Sequence, residues 1–405
     1  MEQKCVLSDS TFFWNKKAHA LFYTPDINRY IILDKDNMDN ELYDFLKQLS
    51  IPFNLGTAKF NNTNKSINTL VEQLVKNGMA RIVDSNSNDC AMPPRPFING
   101  DLEYIEKPEA RTDAINRINV MSLLNSIDFY IGGKTPSLNY TTPLQMPYPI
   151  YTKMKLKYND VTKIIEECES SLSSCTYRII LSEIEDDLIV FAKKMVNIKN
   201  SISFYMLFSR EIISIKDFLM SLGYEVIVLR DPQIPFTLFL SDSRFQTNSM
   251  FIIRCINDLQ VFHDMNIRDT RMDPVVVADK NLDFYKDYVF ITEEELLQST
   301  PSKQLIFLHQ KINLNNWGRL YIHPNGQIYS SSEGKISIGE VGLPIAKVIS
   351  KELYNNYAWR KIRDNKICED CVFQWLCPSP SVQERILGVE TICNKHNRYD
   401  YGINV

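Results

Sequence analysis

Four of the nine cysteines in the chain lie close together near its C-terminal end and could bind a metal. Cys368, Cys371, Cys377 and Cys393 have the spacing C-x2-C-x5-C-x15-C. Thiolates are good ligands for soft metals, and two at C-x2-C spacing can hold one ion, or one corner of an iron–sulfur cluster, from a single tight turn. The alternative is that these cysteines are small buried apolar residues. Charged residues inside the first pair and prolines after the third argue against it, so we predict a metal site with four thiolate ligands.

The composition is that of an ordinary globular protein and excludes several classes of function. The 405 residues, 44% hydrophobic and 23% charged, are enough for two or three domains. A net charge of −4 gives no electrostatic reason to expect a nucleic-acid partner. No stretch approaches the ~20 apolar residues of a membrane helix, and no signal core follows the first residues. We therefore expect a cytoplasmic protein without a membrane partner, in a compartment where clustered cysteines hold metal more often than disulfides.

The first 95 residues are expected to form a small winged-helix domain. A helix over Asn40–Leu49 has apolar residues at helical spacing, and a second helix is predicted to begin at the N-cap Ser66 and to stop at Gly78. A proline-rich stretch, residues 84–96, follows as a linker. The predicted strands are Thr11–Asn15, His19–Tyr23, Arg29–Leu33 and Met79–Val83.

Residues 96–304 alternate strands with helices, which predicts a mostly parallel sheet or a partial (β/α) barrel. The predicted strands are Ile127–Ile131, Tyr177–Leu181, Ser203–Phe208, Glu225–Leu229, Phe251–Cys255 and Pro274–Val277. Helical patterns lie between several of them, at Val161–Leu172, Asp187–Val196 and Ile215–Leu222. Such alternation indicates an α/β fold with a mostly parallel sheet and helices outside it. About six repeats are too few for a complete eightfold barrel.

Residues 305–405 form the third predicted domain, which contains the cysteine-rich tail. A hairpin is predicted from Trp317–Ile322 and Gln327–Tyr329, and a helix at Ile345–Leu353 precedes the cysteines. His323 in the hairpin could also bind metal. A lone histidine at such a position is more often structural, and four thiolates already complete a site, so we do not count His323 as a ligand.

This order of domains resembles a radical SAM peptide maturase, in which a leader-binding winged helix precedes a SAM-binding barrel and a SPASM domain with auxiliary iron–sulfur clusters. The cysteine spacing carries most of the resemblance. In SPASM domains the first three cysteines of C-x2-C-x5-C-x3-C and one later cysteine hold one 4Fe–4S cluster. The resemblance therefore implies that Cys368, Cys371, Cys377 and Cys393 hold one auxiliary 4Fe–4S cluster, with zinc as the alternative metal.

Serines occupy the positions at which a second auxiliary cluster would need cysteines. Ser381 stands at the fourth position of the motif, and Ser330 or Ser331 closes the hairpin where an upstream cysteine is expected. The resemblance therefore implies that one thiolate cage is retained and that the other is lost.

The barrel departs from radical SAM enzymes at the site of their chemistry. Those enzymes bind the reactive cluster through C-x3-C-x2-C after the first strand, and this motif occurs nowhere in the chain. After the second strand, where a GGE-type motif usually receives the amino group of SAM, the chain has Ser182-Glu183-Ile184-Glu185. Without the thiolates the cluster cannot assemble, and without the cluster SAM is not cleaved reductively. We therefore do not expect SAM as a cofactor.

The whole chain is similar to the pseudo-radical-SAM proteins of peptide-modification systems whose precursors carry a Gly-Gly leader, the GG-Bacteroidales type. Residues 368–381, with the sequence C-x-x-C-V-F-Q-W-L-C-P-S-P-S, carry the most specific part of this similarity. It implies a non-catalytic protein of peptide (RiPP) maturation. Such a protein would bind the precursor peptide, an active radical SAM maturase, or both, and its cluster would be structural or would pass electrons.

The resemblance also implies a place for the peptide. In leader-binding winged helices the peptide adds as a strand to the edge of the small sheet and packs on a helix. The candidate peptide-binding residues are Tyr30 and Ile32 on the third strand and Leu70 and Leu74 on the helix behind it.

Two rival hypotheses belong to other classes of protein. The first is a peptide-modifying enzyme that uses its remaining cluster, or acid–base chemistry in the altered barrel, without cleaving SAM. The second is a zinc-stapled winged-helix regulator, because four cysteines also suit zinc. In addition, Arg230 and Asp231 end a predicted strand at the face where barrels bind ligands, so a small-molecule pocket is a further hypothesis.

Overall fold

The computed structural model of the chain describes residues 2–36, 38–92, 104–133, 145–171, 174–198, 201–208, 212–232, 248–264 and 272–393. Within these ranges the chain forms three sheets, two of three strands and one of nine strands. None of the helices in these ranges is both long and apolar enough to cross a membrane.

The N-terminal part contains the two small sheets and two helices. β1 pairs antiparallel with β5 on one side and with β6 on the other. The second sheet is antiparallel, with β3 between β2 and β4. The elements are β1 (Glu2–Leu7), β2 (Phe12–Asn15), β3 (His19–Thr24), β4 (Arg29–Asp34), α1 (Asn40–Ser50), β5 (Thr57–Asn61), α2 (Lys65–Lys76) and β6 (Ala80–Asp84).

Both helices of this part begin at a polar cap and bury one apolar face. The Asp39 side chain accepts a hydrogen bond from the backbone N–H of Leu42 at 2.8 Å and caps α1. Asn64 caps α2 by accepting from Ile67 N–H at 2.9 Å, so the prediction of Ser66 as the N-cap was wrong. The cap lies two residues earlier because Asn64, in extended backbone, is the residue whose side chain reaches the first free N–H groups.

The large sheet is mostly parallel, as predicted. Its strand order is β12-β11-β10-β9-β8-β7-β13-β14-β15, and the strands from β12 to β13 are parallel. The C-terminal hairpin therefore extends the sheet by pairing β13 with β7. The strands are β7 (Ser126–Tyr130), β8 (Thr176–Leu181), β9 (Ile202–Leu207), β10 (Glu225–Arg230), β11 (Ser249–Ile253), β12 (Met272–Val276), β13 (Arg319–Ile322), β14 (Gln327–Tyr329) and β15 (Gly339–Glu340).

Helices cover one face of this sheet and supply much of the largest core. Apolar residues of α3, α4, α5, α6 and α11 pack against it. The helices are α3 (Arg111–Arg117), α4 (Tyr158–Ser170), α5 (Asp186–Met195), α6 (Ile212–Ser221), α7 (Ile256–Asp264), α8 (Leu282–Tyr288), α9 (Glu293–Gln298), α10 (Lys303–His309), α11 (Ile345–Asn355), α12 (Lys366–Glu369) and α13 (Val382–Ile386). The α/β class is confirmed by this arrangement.

Side chains alternate between the two faces along each strand of the large sheet. On β7, Ile127 and Phe129 point to the helices, whereas Asp128 and Tyr130 belong to the opposite face, here called the inner face. Tyr205, Tyr321 and other apolar side chains fill much of that inner face. The inner face is therefore largely packed with aromatic groups, with a few charged residues among them.

Candidate metal centre and peptide-binding edge

The four cysteines lie on tight turns of the C-terminal tail. The Asn365 side chain caps α12 by accepting from the backbone N–H of Cys368 at 2.8 Å. The N–H of Cys371 donates to the carbonyl of Cys368 at 3.0 Å, so the C-x2-C pair lies in one turn. The N–H of Cys377 donates to a carbonyl four residues earlier at 3.0 Å. The N–H of Cys393 donates to a threonine hydroxyl two residues earlier at 3.3 Å.

The four thiols share one electrostatic environment. Burial is the main cause that raises the pKa of Cys377. The Arg363 guanidinium lowers that pKa, whereas negative charge on Cys371, Cys393 and Cys368 raises it. Bringing four thiolates together thus costs free energy, and a metal cation or a cluster with a positive core would offset that cost.

The donor set suits a 4Fe–4S cluster, but the side chains do not surround one point. In the part of the chain that the structure describes, no group of three or more His, Cys, Asp or Glu side chains is placed to hold a metal ion. Thiols of this kind are the donors that iron–sulfur and zinc sites use. The structure brings the four predicted ligands into the same region, and their binding of a metal stays a prediction.

A buried ion pair lies next to the cysteines. Arg363 Nη2 and Glu384 Oε1 are 3.0 Å apart, and their side chains are only 4% and 2% exposed. Arg363 Nε donates to the carbonyl of Pro378 at 2.6 Å. Arg363 Nη1 lies 4.0 Å from Cys368 Sγ and donates to Thr391 Oγ1 at 3.4 Å. The guanidinium therefore contacts three of the segments that carry the cysteines.

The same pair also orders the remaining segment. Gln374, between the second and third cysteines, donates from Nε2 to the carbonyl of Arg363 at 2.5 Å. The backbone N–H of Ile392 donates to Glu384 Oε1 at 3.4 Å, next to the last cysteine. All four cysteine-bearing segments are thus tied to Arg363 and Glu384, either by their side chains or by their backbone.

Ser381, at the position of a missing cysteine, has a structural role. Its side chain caps α13 by accepting from the N–H of Glu384 at 3.2 Å, and Glu384 Oε2 accepts in return from the N–H of Ser381 at 2.7 Å. This capping box places the carboxylate that pairs with Arg363. The hairpin serine Ser330 is also buried, at 2% exposure.

The small β2-β3-β4 sheet packs directly on the cysteine-rich tail. Phe12, Leu21 and Tyr23 on one face of the sheet share a core with Val372 and Phe373 of the tail. That core also holds residues of α9 and α10. The hydroxyl of Tyr23 donates to the carbonyl of Pro301 at 2.9 Å, and Lys16 donates to the carbonyl of Glu369 at 2.6 Å and to Gln374 Oε1 at 3.0 Å.

The four candidate peptide-binding residues are not brought together. Tyr30 is 47% exposed on β4, and Ile32 packs with the core shared by the tail. Leu70 and Leu74 are buried in the separate core on the opposite face of the sheet, together with Ile31 and Leu33 of β4. A pocket between Ile32 and these leucines is therefore absent in the described residues.

The segments after β7 and β8 were predicted to stand at the positions of the radical SAM cofactor motifs. Residues 134–144, which follow β7, lie outside the described residues. Gly133 has a φ of +117°, and a Cβ on it would collide with the Glu183 carboxylate. The Ser182 hydroxyl donates to the carbonyl of Gly132. The segment in place of the GGE motif thus packs tightly on the end of β7.

Asp231 forms an ion pair with Arg254 inside the protein. Arg254 Nη1 and Nη2 lie 2.9 Å from its two carboxylate oxygens, and the Tyr148 hydroxyl donates to Oδ2 at 3.2 Å. Arg230 beside it is buried, at 4% exposure. These residues therefore hold the end of β10 and its neighbours together. The hypothesis of a ligand pocket built on Arg230 and Asp231 has no support from this arrangement.

His323 is surrounded by aromatic rings. Its ring centroid lies 5.5 Å from that of Tyr130 and 4.4 Å from that of Tyr329. Burial lowers the pKa of His323 to about 4, so the imidazole is neutral at physiological pH. Gly334 packs so closely that any Cβ there would collide with the ring. This environment agrees with a structural role.

Arg363, Glu384 and Lys16 are the functional candidates that sequence reasoning missed. Arg363 and Lys16 are ordinary charged residues in segments with no recognisable motif. The only local signal is the S-x-x-E sequence of Ser381 and Glu384, which predicts a helix start but no partner for the carboxylate.

No family model matches the chain, and no curated protein matches it. Among solved structures, Streptococcus suis SuiB is similar over 96% of this chain and 100% of the SuiB chain, with 11% identity and a TM-score of 0.42. SuiB bound to precursor peptide SuiA has 10% identity, a TM-score of 0.42 and the same coverage. BtrN in complex with AdoMet and 2-DOIA is similar over 58% of this chain and 85% of its own, with 10% identity and a TM-score of 0.34. At these values the similarities establish neither a shared fold nor a shared function.

Proposed function

We propose that this chain acts in the maturation of a ribosomally made peptide, as a peptide-binding protein that does not cleave SAM and works beside an active radical SAM maturase. The cysteine spacing and the missing C-x3-C-x2-C motif support this role. The structural observation that carries it is the free edge of β4. Within the described residues, β4 pairs only with β3 and is an edge strand of its sheet.

The edge of β4 is suited to strand addition. An edge strand presents unpaired backbone N–H and C=O groups that an extended peptide can bind. Cores on both faces hold the sheet in place, one beneath α1 and α2 and the other against the tail. The edge is therefore ordered before the peptide arrives, which lowers the entropy cost of binding.

Exposed apolar side chains flank this edge and would select the peptide. Ile27, just before β4, is 48% exposed, and Tyr30 within it is 47% exposed. At the other end Lys35 lies 5.3 Å from the ring of Tyr43 on α1, and Tyr43 is itself 48% exposed. Tyr30 belongs to β4 itself. A peptide that adds along β4 would therefore contact the Tyr30 side chain directly.

The proposal includes one 4Fe–4S cluster bound in the C-terminal tail. Its ligands would be Cys368, Cys371, Cys377 and Cys393. The cluster would either transfer electrons or cross-link the tail through its bonds to the cysteines. Because the tail packs on the β2-β3-β4 sheet, ordering of the tail also supports the proposed peptide-binding edge.

Replacing Tyr30 with alanine is expected to weaken peptide binding about 5- to 30-fold, because an exposed aromatic anchor is lost while the backbone edge remains. The test titrates the full-length chain with a synthetic leader of the short Gly-Gly precursor encoded nearest to its gene, for which a roughly micromolar Kd, on the order of −8 kcal/mol, is expected. Tyr288→Ala is the matched control, since Tyr288 is 59% exposed on α8.

The binding experiment also separates the proposal from the regulator hypothesis. Undetectable leader binding by the full-length chain, together with retardation of duplex DNA that depends steeply on salt, would favour a regulator. Equal binding by the Tyr30 and Tyr288 variants and the unmodified chain would show that the peptide binds elsewhere than on the β4 edge.

A further inference from the structure

A cavity with both apolar and charged lining residues lies on the inner face of the large sheet, and neither the four cysteines nor β4 line it. Its volume is about 230 Å³. Among the described residues that line it, three are charged, namely Asp128 from β7, Arg178 from β8 and Arg319 from β13. The hydroxyl-bearing residues Tyr130 and Tyr321 line it as well, and tail residues close part of its wall.

The charges in this cavity do not balance. Arg178 Nε lies 3.0 Å from Asp128 Oδ1, and the carboxylate side chain is only 3% exposed. Arg319 adds a second guanidinium within the electrostatic range of Asp128. Burial raises the pKa of Asp128 to about 6, although Arg178 and Arg319 both lower it. Among the described residues of the cavity, two guanidinium groups face one carboxylate, which leaves one positive charge in excess. Both arginines are only partly buried, and a positive charge in such a cleft favours a bound anion.

A buried hydroxyl in the same cavity lacks a partner. Tyr130 is fully buried, and its Oη has no hydrogen-bond partner among the described residues. Leaving such a group unpaired is costly, and a phenol donates readily to an oxygen acceptor. The unpaired hydroxyl and the charge imbalance are independent observations. Together they favour a ligand that carries oxygen atoms and a negative charge.

The size of the cavity limits the ligand. Sites for drug-sized molecules occupy on the order of 300–1,000 Å³, so 230 Å³ is too small for them. At about 30 Å³ for each water molecule, the cavity has room for roughly seven waters or for a molecule of a few carbon and oxygen atoms.

We propose that this cavity binds a small carboxylate, with Arg319 and Arg178 facing its charge and the Tyr130 hydroxyl donating to one of its oxygens. Guanidinium groups match the planar, two-oxygen geometry of a carboxylate. The carboxylate belongs either to a free small acid or to an acidic side chain of a bound peptide, and these two sources differ in what competes for the site.

The test titrates the full-length chain with acetate and with succinate as free acids, and with N-acetyl-aspartate amide as the peptide-borne group. We expect saturable heat by calorimetry and a rise in Tm for at least one of these probes. Arg319→Gln should weaken that binding at least 10-fold and Tyr130→Phe about 3- to 10-fold. Arg117→Gln, at an exposed position on α3, should leave it unchanged.

A second readout distinguishes ligand binding from a purely structural role. Without ligand, Tyr130→Phe should keep or raise the Tm, because it removes an unpaired buried hydroxyl. With ligand, the gain in Tm of the unmodified chain should shrink in this variant. Absence of saturable binding by all three probes, or binding that both Arg319→Gln and Tyr130→Phe leave unchanged, would overturn the proposal.

Discussion

Replacing Cys377 with serine is expected to remove the cluster from the full-length chain and to open the C-terminal tail to protease. A serine hydroxyl is a poor substitute for a thiolate, and the free energy of metal binding is coupled to folding, about 10–16 kcal/mol for structural zinc sites. Cys377 also packs at the core that joins the tail to the β2-β3-β4 sheet. Loss of the cluster should therefore loosen that interface.

Iron and acid-labile sulfide, measured on anaerobically purified protein, test this prediction. The unmodified chain should hold four iron atoms, and both Cys377→Ser and Cys371→Ser should hold close to none, as judged by the 4Fe–4S stoichiometry. Cys377→Ala excludes ligation through the serine oxygen. Cys90→Ser is the matched control, because Cys90 is an exposed free cysteine far from the tail in sequence. One zinc and no iron in the unmodified chain would make the cluster assignment wrong while leaving the four ligands in place.

Glu384→Gln is expected to destabilise the tail by about 3–5 kcal/mol, because it leaves the Arg363 guanidinium buried without its counter-charge. The two side chains are 4% and 2% exposed, so water cannot replace the lost carboxylate. The carboxylate also accepts from Ile392 and completes the capping box with Ser381, and the amide preserves only part of these contacts.

Urea unfolding, followed by tryptophan fluorescence and by proteolysis of the tail, measures this loss. Glu2→Gln is the matched control, since it breaks the exposed Lys59–Glu2 ion pair and should cost less than about 1 kcal/mol. If Glu384→Gln proves as mild as the control, the buried pair does not organise the cysteine segments as we infer.

Much of the large sheet could be predicted because several of its strands contain runs of consecutive apolar residues. Residues 226–229 of β10 have the sequence VIVL and are all buried, and such a run is visible in the sequence without any knowledge of its partners. β1 and β5 were missed for the opposite reason. β5 has the short, mixed sequence TAKFN, with Ala58 and Phe60 buried, and it becomes a strand only by pairing with β1, more than fifty residues earlier.

The cysteines of the candidate site could be predicted from their spacing in the sequence. The residues that join the site through tertiary contacts could not. Cysteines three residues apart are recognisable locally, because one turn brings them together. The hydrogen bond from Lys16 to Glu369 joins residues 353 positions apart, and no sequence pattern marks it. The position of Ile32 was also beyond prediction, because the sequence does not tell which face of the small sheet meets the tail.

Incubating the reduced, iron-loaded full-length chain with SAM and the precursor peptide tests the central claim most directly. The claim is that the chain binds the peptide without itself modifying it. We expect no 5′-deoxyadenosine above a protein-free control, because the chain has no C-x3-C-x2-C motif to hold a SAM-binding cluster, and we expect the peptide to keep its mass. Production of 5′-deoxyadenosine, or a change in the mass of the peptide without any partner enzyme, would contradict the claim.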